Sequence, residues 1–153
     1  MFCVTGREQE FFEKGLLVAL RSVRRTNPDI PVVVFFDTLT NSQVADLSGC
    51  DLRQVDPSPF KASHREDLTR ATFFRFYIGR ELGDVAKVLY LDCDLVVLED
   101  LSEIFEVDSP VAAALKIPPS PDGEFRNPDA LAAENGLSTW LPIFNPGILC
   151  FDG

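Results

Sequence analysis

Strand-like and helix-like segments alternate along this chain, and that order predicts an α/β layered fold with a mostly parallel sheet and helices on both faces. Two observations carry the prediction. The runs PVVVFF and KVLYL are short, continuous and apolar, the pattern of strands buried on both sides. Between them lie segments whose apolar residues recur at helical spacing. With 153 residues and no internal repeat or linker-like tract, a single domain spanning 1–153 is expected.

The elements follow in order. FCVT opens as a strand. Phe12, Leu16, Ala19, Leu20 and Val23 then share one helical face, closed by Asn27-Pro28. Pro31 to Phe36 reads as a buried strand, and Asn41-Ser42 marks the start of a short helix. A brief strand near Leu52 to Val55 leads into a proline-containing loop, Asp56 to Ser63. Leu68, Ala71, Phe74, Ile78 and Leu82 form the inner face of a second amphipathic helix. The strand KVLYLDCD comes next, then VVL and a short acidic helix around Leu101 to Phe105. Val111 to Ile117 is a further strand, the proline-rich stretch 118–142 a long loop, and IFNPGILCF the last strand.

Composition narrows the function. Twenty-four acidic residues against fourteen basic ones give a formal charge of −10, which disfavours binding to nucleic acid or to anionic lipid. No apolar stretch reaches the roughly 18 residues of a membrane helix, and Met1 leads straight into a strand, so a cytoplasmic protein is expected. Cys3, Cys50, Cys93 and Cys150 are too dispersed for a zinc site or a disulfide framework and read as packed thiols.

Asp92 and Asp94 carry the chemistry. Two carboxylates at the end of a buried apolar strand are costly unless something positive compensates them. On extended backbone they share a side, with Cys93 turned the other way. Such a pair suits a hard divalent cation, Mg²⁺ or Mn²⁺. The plainer account is a turn in which Asp accepts backbone hydrogen bonds. Thr5, Asp37 and Asp92 all fall at strand ends, where α/β sheets bind ligands. Among Lys61, His64, Arg65, Arg70, Arg75 and Arg80, only Arg75 interrupts an aromatic cluster (Phe73, Phe74, Phe76, Tyr77). A guanidinium there requires a carboxylate or phosphate partner. The others read as solvated, and His64 as a loop or surface residue.

Four ordered stretches resemble glycosyltransferase family 8, the family of glycogenin and bacterial lipopolysaccharide galactosyl- and glucosyltransferases. They are FCVTGREQEFFEKGLLVALRSVRRTNPDIPVVVF, TRATFFRFYIGREL, KVLYLDCDLVVLEDLSEIF and IFNPGILCFD. The resemblance implies a GT-A fold, the Rossmann-like layered fold of nucleotide-diphospho-sugar transferases. It also implies a UDP-glucose or UDP-galactose donor, Mn²⁺ (or Mg²⁺) and retention at the anomeric carbon. Asp92 and Asp94 then match metal-binding aspartates, with Asp92 also near ribose and Cys93 laying its backbone against the nucleotide. Arg75 matches the arginine by the diphosphate, Thr5 and Gly6 the loop that receives uracil, and Asn145 the asparagine at the donor sugar or reaction centre.

No stretch matches the family's later histidine and lysine motif, and Lys116 stands where relatives carry an acidic or polar residue. The expectation is therefore a donor-binding portion that stops before the acceptor-binding half. Its acceptor would be a saccharide, lipopolysaccharide or protein, and its uncovered apolar surface would favour self-association. Two other readings compete: an inactive nucleotide-sugar binding module, and a haloacid-dehalogenase-like phosphohydrolase, whose D-x-D would sit near the chain start and attack phosphate.

Overall fold

A computed structural model describes residues 1–60, 70–115, 136 and 144–152. His64, Leu68, Lys116 and nearly all of the proline-rich stretch lie outside them. Strands β1 (Phe2–Val4), β2 (Val33–Phe36) and β3 (Asp51–Gln54) pair in parallel, Phe2 opposite Val34 and Val34 opposite Leu52. Strand β4 (Lys87–Leu91) joins β1 through two bonds: the Met1 amine donates to the Leu89 carbonyl at 2.7 Å, and Leu91 N–H donates to the Met1 carbonyl at 3.0 Å. That alternation is a parallel pairing centred on Met1 and Tyr90. The sheet then changes character. Strand β6 (Phe144–Asp152) is antiparallel both to β4 and to β5 (Val111–Leu115). The described strands thus form two three-stranded sheets, β1-β2-β3 and β4-β6-β5, which the two Met1 bonds join in the order β3-β2-β1-β4-β6-β5. The expected parallel sheet is present, and this mixed half was not anticipated.

Both faces of the sheet are covered, as alternation along the strands requires. Phe2, Val4, Val34, Leu89 and Leu91 pack on one side against Phe12, Leu16, Leu20 and Val23 of the first helix. Cys3, Phe35, Val88 and Tyr90 face the other side, against Ala71, Phe74, Tyr77, Ile78 and Leu82. The first helix, α1, starts at Gln9–Phe11, passes through a π-helical turn at Phe12–Leu16 and continues as Leu17–Thr26. Helix α2 (Asn41–Asp46) begins one residue after the Thr40 cap.

The second amphipathic helix needs correction. Helix α3 is a 3₁₀ segment, Arg70–Tyr77, that becomes α-helical only at Ile78–Glu81. In a 3₁₀ helix residues three apart eclipse, and the composition suits three such rows. Ala71, Phe74 and Tyr77 are buried. Phe73 and Phe76 stack with ring centroids 6.4 Å apart. Arg75 Nε donates to the Thr72 carbonyl at 2.7 Å.

After β4 the chain is not a strand either. It turns at Cys93–Asp94 and runs without ladder partners to the short helix α4 (Ser102–Phe105). Buried side chains of α1 and its end satisfy this backbone instead. Ser22 Oγ accepts from Val97 N–H at 2.9 Å, Asn27 Oδ1 accepts from Leu101 N–H at 2.7 Å, and Asn27 Nδ2 donates to the Glu99 carbonyl at 3.1 Å. Asn27→Ala should therefore cost about 2 kcal/mol, because it orphans an amide and a carbonyl together. Urea unfolding of the variant checks this, and a loss below about 0.5 kcal/mol would mean that water replaces the side chain.

Candidate functional site

Tyr90 and Asp92 lie two residues apart and so extend the same side of β4, the side that faces α3. There Arg75, whose side chain is 13% exposed, donates from Nη2 to Asp92 Oδ1 at 3.1 Å. The Tyr90 hydroxyl donates to the same oxygen in a short hydrogen bond. The guanidinium carbon stands 4.4 Å from the Tyr90 ring centroid, and Nη1 donates to the Pro146 carbonyl at 2.5 Å. Arg75 thus has the carboxylate partner its aromatic surroundings required. Burial, the neighbouring Cys3 thiol and the Asp92 bond raise the Tyr90 phenol well above its ordinary pKa, so it stays a donor.

Asp94 stands differently. The turn carries it out to solvent, exposed, so the two aspartates do not share one strand face in the regular manner expected. Both nevertheless line a cleft of about 400 Å³ together with Arg75, Tyr90, Cys93, Thr72 and Pro146. The Cys93 side chain points inward as expected, its thiol against the Cys3 carbonyl at 3.3 Å. Burial, then Asp92 and Asp94, push that thiol up to about 12, so it is inert.

Beyond Asp94 the cleft opens into a wider groove of about 750 Å³, which shares Glu8, Phe11, Cys93 and Asp94 with it. Phe11, 40% exposed, presents its ring there. Thr5 is buried at the end of β1, and Gly6 N–H donates to the Thr38 carbonyl at 2.9 Å. The site therefore gathers Arg75, Asp92, Cys93 and Asp94 directly. Thr5 and Gly6 start the loop that brings in Glu8, and exposed Asn145 adjoins lining residue Pro146.

Asn145 Oδ1 accepts from Gly147 N–H at 2.9 Å, and the Gly147 carbonyl accepts from Asp92 N–H at 2.8 Å. A Cβ on Gly147 would stand 2.4 Å from Asp92 Oδ2. The glycine leaves room for the carboxylate on one side while Arg75 and Tyr90 hold it from the other. Sequence reasoning passed over Tyr90, Phe11, Glu8 and Gly147. Tyr90 was open to it through the two-residue strand period, whereas the contact of Gly147 with Asp92 depends on β6 lying beside β4.

Residues 3–153 match the model of glycosyl transferase family 8. The chain belongs to glycosyltransferase family 8. A zebrafish (Danio rerio) glycosyltransferase 8 domain-containing protein 1 is 35% identical over 102 residues, covering 58% of this chain and 28% of the relative. The crystal structure of the galactosyltransferase LgtC, in complex with donor and acceptor sugar analogs, superposes with a TM-score of 0.78 at 19% identity, covering 99% of this chain and 56% of LgtC. GlyE of Streptococcus pneumoniae, in its apo form, superposes with a TM-score of 0.59 at 22% identity, over 99% of this chain and 32% of its own. At these identities the structural matches establish the GT-A fold alone. This family 8 chain spans about half of LgtC or less of the other two. Membership sets aside the phosphohydrolase reading. Among the described residues no helix is long and apolar enough to cross a membrane.

Gly147→Ala should lower stability by about 1–3 kcal/mol, because the added methyl drives the Asp92 carboxylate off its Arg75 and Tyr90 bonds. In the Asp92→Ala background the same substitution should cost less. Thermal melts of the four proteins measure the coupling, and strict additivity would show that the methyl is accommodated without moving Asp92.

Proposed function

We propose that this family 8 chain binds the UDP-hexose donor, UDP-glucose or UDP-galactose, of a retaining hexosyltransferase, with a divalent cation held by Asp92 and Asp94. The observation that carries the reading is the shared cleft of Arg75, Asp92 and Asp94 at the carboxyl end of a central strand. Among its described lining residues the carboxylates of Glu8, Asp92 and Asp94 stand against the guanidinium of Arg75. A bare diphosphate would be repelled there, and one accompanied by a cation would not.

The donor set fits Mn²⁺ or Mg²⁺. Asp92 Oδ1 is engaged by Arg75 and Tyr90, while Oδ2, seated against Gly147, receives no hydrogen bond among the described residues, and Asp94 offers a second, exposed carboxylate. Among the described residues there is no cluster of three or more metal-ligating side chains, so the two aspartates would be part of a shell to which diphosphate oxygens, water or further residues add. When bound, the cation supplies Lewis-acid stabilisation of the departing diphosphate, worth several kcal/mol.

The chain's own groups do the rest. Arg75 sets a fixed guanidinium where negative charge develops, and its bonds to Thr72, Pro146 and Asp92 keep it from reorganising. Phe11 offers the base an exposed aromatic face on the far side of the cleft. We assign the Asn145 amide nitrogen to the donor sugar, a reading supported by its place next to Pro146 of the cleft wall and by a carbonyl oxygen that already accepts from Gly147 N–H. Since the chain spans about half of LgtC, transfer to a saccharide, lipopolysaccharide or protein acceptor is proposed for the whole protein.

Titration of UDP with and without Mn²⁺, on wild type and Asp94→Asn, tests the cation. Wild type with Mn²⁺ should bind at least about tenfold more tightly than the other three combinations, a difference of roughly 1.4 kcal/mol. Equal affinities would sink the idea. Mn²⁺-dependent donor hydrolysis by the wild type separates an enzyme from a pure binding module.

Arg75→Ala should weaken UDP more than UMP or uridine, and where turnover is measured should lower kcat by about 10²–10³. Arg75→Lys should restore only part of this, because an ammonium lacks the planar fork that reaches two acceptors at once. A uniform loss for all three ligands would make Arg75 a structural residue.

A further inference from the structure

Gln43 belongs to neither the cleft nor the groove, yet it is the most deeply buried polar residue described, with 1% of its surface exposed. It arises from α2, 37 positions along the chain from Gly6 and 34 from Gln9. Its Nε2 donates to the Gly6 carbonyl at 3.1 Å and to Gln9 Oε1 at 3.0 Å. Its Oε1 accepts from Thr40 N–H at 2.9 Å, and its backbone N–H donates to Thr40 Oγ1 at 3.3 Å. One amide therefore closes the capping box of α2 and also clamps both ends of the turn between β1 and α1.

Only glycine admits that clamp. A Cβ on residue 6 would stand 2.6 Å from Gln43 Oε1 and 2.5 Å from the Thr38 carbonyl. Between the two clamped positions lie Arg7 and Glu8, and Phe11 follows as the third residue of α1. Glu8 and Phe11 are the residues by which this turn lines the cleft. A cap alone needs no donor toward Gly6 or Gln9, so the second half of the amide is unexplained by helix stability.

We propose that Gln43 is a positioning residue for nucleotide binding: its Nε2 sets the Gly6–Gln9 turn, and through it the places of Glu8 and Phe11. The inference rests on the reading of this cleft as a nucleotide-diphosphate site. It assigns Gln43 to the nucleoside end of the ligand and not to the diphosphate end, which Arg75 and the aspartates serve.

Glutamate at this position separates the two halves of the amide. Gln43→Glu keeps an acceptor for Thr40 N–H and removes the donor to Gly6 and Gln9. In the full-length protein with Mn²⁺, affinities for UDP and for inorganic pyrophosphate are measured by calorimetry, beside melting temperatures. Gln43→Glu should weaken UDP about tenfold and leave pyrophosphate within about twofold. Thr40→Ala, which removes the cap and spares the Nε2 bonds, should lower the melting temperature without that selective loss. Should Gln43→Glu not fold, Gln43→Met, close in volume and lacking the donor, takes its place with the same expectation. Wild-type UDP binding with unchanged UDP affinity in the variant, or equal loss of both ligands, overturns the inference alone. A folded wild type that binds neither UDP nor pyrophosphate overturns the nucleotide reading as well.

Discussion

The pair between Arg75 and Asp92 is the contact on which the rest of the site depends. Asp92 caps a strand whose preceding residues Val88 to Leu91 are all buried, so its carboxylate sits at the border between core and cleft. There a lone charge would be expensive and a fully paired one would have nothing left for a ligand. The structure resolves this by loading one oxygen with two donors and seating the other against Gly147, where no donor among the described residues takes it. Removing either partner would leave the other partly buried and unpaired, which is why the pair reads as a constraint on the fold and not as a surface ion pair of small worth.

Three separate elements must meet for that arrangement to exist. Strand β4 supplies Tyr90 and Asp92 on one side, the 3₁₀ segment of α3 supplies Arg75, and β6 supplies Gly147 and the Pro146 carbonyl. The 3₁₀ winding is part of this, since it stacks Arg75 over Thr72 and lets Nε take that carbonyl. The opposite side of the cleft is governed by another contact of the same kind, the close approach of the Gly6 turn to Thr38 and Gln43. Glycine appears at both places because a backbone or a carboxylate occupies the volume of a Cβ.

Much of the fold was legible because burial on two faces leaves a plain pattern. PVVVFF and KVLYL read as buried strands, and Phe12, Leu16, Leu20 and Val23 as one helical face. Strand ends at Thr5, Asp37 and Asp92 followed directly. Helix winding was less legible: Ala71, Phe74, Ile78 and Leu82 fit an α-helical face, and the tighter winding arises from eclipsed aromatics and a side-chain bond to a carbonyl. The direction of the last strand was also hidden, since parallel and antiparallel partners of a buried strand look alike in one dimension.

What the sequence determined by itself were properties that depend on near neighbours along the chain. These are the strand and helix order, the two carboxylates at a buried strand end, the arginine among aromatics, and the ordered motifs that mark family 8. What only the tertiary structure decided were contacts between elements distant in sequence. Tyr90 sharing Asp92 with Arg75, Gly147 making room for that carboxylate, and Gln43 holding the Gly6 turn each depend on which strand or helix lies beside which. Hydrogen bonds and steric fit act over a few ångströms, so a residue's role at such a place is set by its neighbours in space. Residues 17 or 55 positions apart become neighbours only when the sheet has formed.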